Sequence, residues 1–225
     1  MKYLAVSLFG ILLGAAAACV GLYYNPLTAR QTRLNDGAGK ALHYALPDDA
    51  LRFAAGQRLL LPVKRQGEDS LWEETINRSA LLAIVLRDDD GTPAAVATRL
   101  MAASSDTDLL LKGAIVNDYW LLTLPGEGTV FLHADTNLWP FLKNTLLPVW
   151  YLGRPWNGPT DLQPTMGPGP DGMGVALGGT GRFTSADGTA VESYTLTDLD
   201  PANGRVTASA ELDLQGLEPV VATGE

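Results

Sequence analysis

Hydrophobic and polar positions alternate most cleanly near the end of the chain, where Val206, Ala208, Ala210, Leu212 and Leu214 interleave with Arg205, Thr207, Ser209, Glu211 and Asp213. A period of two predicts a strand with one buried and one solvated face. Ala190–Leu199 is its predicted partner across the turn Asp200-Pro201-Ala202-Asn203-Gly204. Upstream, Ala80–Arg87 and Pro93–Met101 flank Asp88-Asp89-Asp90-Gly91 and read as a hairpin. Ala114–Leu124 turns at Pro125-Gly126-Glu127-Gly128 and returns as Thr129–His133, and Arg58–Val63 is a further strand-like run. Leu138–Trp150 breaks this period. Asp135, Thr136 or Asn137 can cap a short helix there, with Pro140 in its first turn and Pro148 limiting the far end. Gly153–Gly174 reads as a long loop rich in glycine and proline.

A different pattern opens the chain. Leu4 to Tyr24 carry no charge, and a helix of that length reaches about 31 Å, enough for a bilayer core of about 30 Å. Three readings compete: a retained anchor, a cleaved signal peptide, and a lipoprotein signal. Lys2, the run Leu4–Leu13 and the tract Ala15–Ala18 suit a signal peptide. Cys19 directly follows the alanine tract, where a lipidated cysteine would stand, although Ala16 occupies a position that usually carries a larger aliphatic residue. The apolar run continues through Val20–Tyr24, Tyr23-Tyr24 suit an aromatic belt, and Asn25-Pro26 ends the helix. This continuation favours the retained anchor. The expected organisation is an anchor over residues 1–24, a linker over 25–40 and one domain over 41–225. The signal-like layout puts that domain outside the cytoplasm, in the periplasm of a bacterial cell envelope, with the anchor in the inner membrane.

Composition narrows the class of the domain. Gly (24) and Pro (14) make about 17% of the chain, against an average near 12%, so turns are frequent. With strands following one another in sequence, the expected fold is all-β: an antiparallel barrel or sandwich, plus the N-terminal membrane helix and one short helix. A net charge of −9 and the lack of any Lys/Arg cluster argue against nucleic-acid binding. Cys19 is the one cysteine, so no disulfide can form within the chain.

Gly178-Gly179-Thr180-Gly181-Arg182-Phe183, followed by Ala186 and Gly188, resembles a motif of the allene oxide cyclase and dirigent barrels. Ser185 stands where a further glycine is common in those families. The resemblance covers roughly 20 to 40 residues and implies an eight-stranded, calycin-like β-barrel. None of those families' catalytic or ligand-binding residues can be matched onto this chain, so no activity carries over. The layout as a whole, with its apolar N-terminus ending in Tyr-Tyr-Asn-Pro, also resembles N-terminally anchored envelope proteins of proteobacteria.

Candidate chemistry is sparse. Gly167-Pro168-Gly169-Pro170-Asp171-Gly172 formally fits GxGxxG, but its prolines lack the N–H groups that cradle a dinucleotide, and no helix can follow. Asp88-Asp89-Asp90 is explained as a hairpin turn rather than a metal site, and His43 and His133 lie in no ligand or triad spacing. No cofactor, metal or catalytic residue is assigned. Asp118 shares its phase with Trp120, Leu122 and Leu124, and Glu192 with Ala190, Tyr194 and Leu196, so both carboxylates are expected to face an apolar interior. A pocket acid is one account, and pairing with Arg99 or Arg182 is another. Trp139, Phe141, Trp150, Tyr151 and Trp156 form an aromatic cluster. It either plugs the barrel end or lines a mouth for an apolar ligand, a partner or a membrane. Three functions remain open: a non-catalytic anchored barrel binding an apolar molecule or lipid, an interaction or assembly module with a filled barrel, and an enzyme. The last requires Asp118, Glu192, His133 or Tyr194 to converge in one cleft.

Overall fold

The computed structural model describes residues 2–25, 39–46, 79–151, 155–200 and 205–217. Its strands are β1 (Gly39–Ala45), β2 (Ser79–Arg87), β3 (Pro93–Ala103), β4 (Ile115–Leu124), β5 (Gly128–Asn137), β6 (Thr160–Leu162), β7 (Thr165–Gly167), β8 (Gly174–Gly179), β9 (Thr189–Asp200) and β10 (Arg205–Gln215). The chain begins with a helix, α1 (Lys2–Tyr24). A second helical segment, α2, joins Trp139–Phe141, a π-turn over Leu142–Leu146, and Leu147–Trp150. The expected strand Arg58–Val63 and the turn over 201–204 lie outside the described residues.

Strands β1, β2, β3, β4, β5, β8, β9 and β10 close on themselves in that order, each antiparallel to its neighbours, with β10 returning to β1. Closure removes the long free edges of an open sheet. The period of two in β10 is its burial pattern, with Val206, Ala208, Ala210, Leu212 and Leu214 inside. Leu42, Leu86, Leu122, Val130 and Leu132 meet Ala210, Leu212 and Leu214 from other strands to form the main core, while Val206 and Ala208 belong to a second cluster.

Strand β8 is too short to complete the wall between β5 and β9. It pairs with β5 over Val130–His133 but with β9 only at Ala190 and Thr189. Beyond that point β7 takes the β5 edge at Asp135 and Thr136, and β6 takes the β9 edge at Tyr194–Leu196. The expected loop Gly153–Gly174 therefore contains two strands. Backbone groups along β5 and β9 require partners, and strands of three residues are too short to show a period.

The two ends of the barrel are closed differently. At one end Gly178–Phe183 clasps the β4–β5 hairpin. The Thr180 N–H donates to the Thr129 carbonyl (2.7 Å) and the Arg182 N–H to the Glu127 carbonyl (3.0 Å). A Cβ on Gly179 would stand 2.0 Å from the Thr129 carbonyl oxygen, so only glycine fits there. Phe183 is buried in the core. At the other end α2 lies across β9 and β10. Its Leu146 packs with Leu196, Leu199, Val206 and Ala208, flanked by Phe141, Leu142, Val149 and Trp156. Pro148 does not end this helix as its sequence position suggests. A proline lacks a donor and clashes with the carbonyl four residues back, and the wider π-turn just before it makes room.

Helix α1 runs for 23 residues as backbone. Its described apolar side chains are solvent-exposed, with Phe9, Ile11, Leu12 and Leu13 between 61% and 70% accessible. Among the described residues, no helix is long and apolar enough to cross a membrane.

Candidate functional site

Among the described residues, a polar cluster built around Arg99 lies on the inner wall. On β3, Arg99 is in phase with Ala95 and Ala97, both buried, whose small side chains leave room for a guanidinium. Asp118 comes from β4, Tyr44 from β1, and Glu192 and Tyr194 from β9, all at inward positions. Arg99 Nε donates to Asp118 Oδ1 (3.0 Å) and Nη2 to Asp118 Oδ2 (2.8 Å), a two-pronged pair. On the other side Nη1 donates to Glu192 Oε1 (2.8 Å) and to the Tyr194 hydroxyl (2.5 Å), and Nη2 to Glu192 Oε2 (2.7 Å). A guanidinium has five N–H groups, and all five are used.

Outer partners complete the acceptors. The Tyr44 hydroxyl donates to Glu192 Oε1, and Thr136 Oγ1 donates to Asp118 Oδ2. Thr165 Oγ1, from β7, accepts from the Glu192 backbone N–H (3.0 Å), so the strand that repairs the wall also fixes the acid. The guanidinium carbon lies 4.7 Å from the Trp120 ring centroid, and Trp120 meets Tyr44 edge to face. Arg99, Asp118 and Glu192 are each under 5% exposed. One cation thus faces two carboxylates in a medium that screens poorly.

This imbalance sets the protonation of the cluster. Burial raises the Glu192 pKa, the Arg99 charge opposes that rise, and Asp118 adds to it, with a net shift upward. Burial also raises both tyrosines, aided by the Glu192 charge, so each stays a neutral hydroxyl. For Arg99 burial acts downward, but Asp118 and Glu192 outweigh it and hold the cation well above its ordinary value. Chemically the cluster is a satisfied ion-pair network that ties β1, β3, β4, β5, β7 and β9 together.

Other sequence candidates land elsewhere. His133 is on the outer wall, stacked on Tyr119 with ring centroids 4.6 Å apart, and takes no part in the interior cluster. Asp88 and Asp89 pair with Lys40 (3.4 Å) and His43 (2.8 Å), while Asp90 accepts from the Thr92 N–H (2.9 Å) within the hairpin turn. Among the described residues no group of three or more His, Cys, Asp or Glu is placed to hold a metal. Gly167–Gly172 passes from β7 through a short 3-10 turn, and a strand follows. Cys19 is exposed on α1. The aromatic cluster divides: Phe141 and Trp156 pack against the α2 core, whereas Trp150 and Tyr151 are 42% and 80% exposed. The indole N–H groups of Trp139 and Trp156 are buried with no hydrogen-bond partner among the described residues.

A second feature lies on the outside of the barrel. Outward positions of β2–β5 and β8 carry Leu81, Val85, Val96, Leu100, Tyr119, Leu121, Phe131 and Leu177, all 38–61% exposed. Register makes them neighbours: Leu81 faces Leu100, Val85 faces Val96, Leu100 faces Tyr119, and Leu121 faces Phe131. Between them the outward positions carry Ala83, Thr98, Thr123 and Thr129, and the charged residues Arg87 and Asp135 stand at the ends of β2 and β5. The outer face of β10, by contrast, carries Arg205, Thr207, Ser209, Glu211 and Asp213. The apolar side chains leave on the order of 700 Å² in solvent, above the roughly 300–600 Å² of the largest patch on a typical monomer.

No family model and no curated protein matches the chain. Among solved structures, it is similar to a pterocarpan synthase dirigent protein at 11% sequence identity and a TM-score of 0.36, over 81% of this chain and 87% of that one.

Proposed function

We propose that the chain is a membrane-anchored assembly module: a non-catalytic β-barrel with a filled interior that joins a second copy of itself through the outer face of β2–β5. The observation that carries this reading is the outer face, apolar across its centre. Its area approaches the roughly 800 Å² that each partner buries in a standard interface. Because its centre lacks charge, with Arg87 and Asp135 at its ends, the face can meet its own copy without like-charge repulsion, as a two-fold interface requires. In a chain of net charge −9, few other surfaces could do so.

The interior speaks against a ligand-binding barrel and against an enzyme. Where an apolar molecule would lie, the Arg99 cluster places three charged groups. Where a substrate would need a donor, Arg99 has none left. Helix α1 is read as a retained anchor in the inner membrane of a bacterial envelope, with the barrel in the periplasm. Its backbone continues without a break through Cys19 to Tyr24, and its described side chains are apolar and exposed. A shared membrane would also raise the effective concentration of the two copies.

Light scattering of the full chain in detergent tests the reading. Wild type should run as an oligomer. The double substitution Leu100→Glu and Leu121→Glu, at solvated positions, should return single protomers with an unchanged β-sheet dichroism spectrum. An unchanged mass would remove the face from consideration.

A further inference from the structure

We infer that the α2 end of the barrel rests on the bilayer, with the Leu109–Leu111 tip and the Trp150-Tyr151 pair seated at headgroup depth. This rests on the reading of α1 as an anchor and adds a second, separate lipid contact made by the barrel itself.

Three consecutive leucines form the tip of the β3–β4 loop, and they are 42%, 59% and 60% exposed. The loop is rigidly built to show them. Asp108 Oδ1 accepts from the Leu110 N–H (2.9 Å) and the Leu111 N–H (3.2 Å), and the Asp108 carbonyl accepts from the Lys112 N–H (2.8 Å) and the Gly113 N–H (2.6 Å). Gly113 has φ +99°, and a Cβ there would meet the Asn137 side chain at 2.5 Å. The loop therefore cannot roll its leucines inward without breaking this turn. It is also tied to the start of α2: the Leu138 N–H donates to the Ala114 carbonyl (2.8 Å) and Asn137 Nδ2 to the Lys112 carbonyl (3.2 Å).

Helix α1 ends against the same surface. Asn25 Nδ2 donates to the Leu110 carbonyl, and Lys143 Nζ of α2 lies 5.5 Å from the Tyr23 ring centroid. The leucine tip, the first half of α2 and the Tyr23-Tyr24 end of α1 thus meet at this end of the barrel, and α2 carries the exposed Trp150-Tyr151 pair at its far end. Leucine supplies apolar area, while tryptophan and tyrosine favour the headgroup boundary. Lys112 and Lys143 can lay their stems along the surface and keep their charges among phosphates. A second copy fits this surface poorly, because α1 leaves from it beside Leu110 and Lys143. The bilayer that holds α1 is the occupant it faces.

The test uses the full chain with Cys19→Ser, reconstituted in vesicles of phosphatidylcholine and phosphatidylglycerol. Single labels are placed through Leu12→Cys, Leu110→Cys, Tyr151→Cys and, at the opposite barrel end, Asp89→Cys. Each carries bimane and is quenched by doxyl-lipid or by aqueous iodide. The first three should be quenched several-fold more strongly by doxyl-lipid than the Asp89 label, and that label should respond to iodide. A lipid-quenched Leu12 label beside Leu110 and Tyr151 labels that behave like Asp89 would overturn the inference and leave the anchor standing. Iodide quenching of the Leu12 label would remove the anchor, and the inference with it.

Discussion

Removing the Arg99 guanidinium would leave Asp118 and Glu192 facing each other inside the barrel without a counter-charge. Breaking a buried pair in this way typically costs about 3–5 kcal/mol, a large share of the stability of an ordinary domain. Arg99→Met, which retains most of the volume, should lower unfolding free energy by that amount in denaturant titration. Glu192 gives a pH signature. Its pKa is raised in the folded protein, so between the ordinary glutamate value and that raised value the folded state binds more protons than the unfolded one. The contribution is fully present below the unfolded pKa and is lost as pH rises through the folded one. Stability measured from about pH 4.5 upward should carry this falling component, and Glu192→Gln should remove it. An identical pH slope in both proteins would assign the raised pKa to another group.

Among the elements, the glycine clasp is the most exacting. Gly179 sits where a Cβ would come within 2.0 Å of the Thr129 carbonyl oxygen, and Gly128 (φ +138°) where one would meet the Thr180 carbonyl oxygen at 2.1 Å. Gly179→Ala must push the β4–β5 hairpin off the clasp, which should cost about 1–3 kcal/mol. Thermal unfolding of that variant measures the loss directly. Residues of this clasp were visible in the sequence as a motif, and the alternation of β10 and the phase of Asp118 and Glu192 were visible as periods. Of the two partners the sequence offered for these acids, Arg99 and Arg182, the structure uses Arg99. The signal was its phase with Ala95 and Ala97, small inward residues that make space, but a charge in a strand reads first as a solvated position. Tyr44 was missed because β1, with Leu42 and Tyr44 inward, adjoins a polar segment and offers only two alternations. Thr136 and Thr165 could not be found, since their roles depend on cross-strand register and on a three-residue strand.

For the molecule as a whole, the barrel divides its surfaces by chemistry. The interior holds an apolar core and a hydrogen-bonded ion-pair cluster, one outer wall is polar, the opposite wall is apolar, and one end carries α1 and α2 together. The all-β class followed from local periodicity and turn frequency. The apolar outer wall did not, because Leu81, Val85, Val96 and Leu121 look like core residues until the closure of the sheet decides which face is inside. Native mass spectrometry of the full chain released from detergent tests the central proposal most directly, since it reads copy number and retained lipid together. The account predicts a multiple of the 23.9 kDa chain mass, with no stoichiometric lipid held after detergent is stripped. A single protomer carrying one tightly bound lipid would contradict it and return the barrel interior to the role of a ligand site.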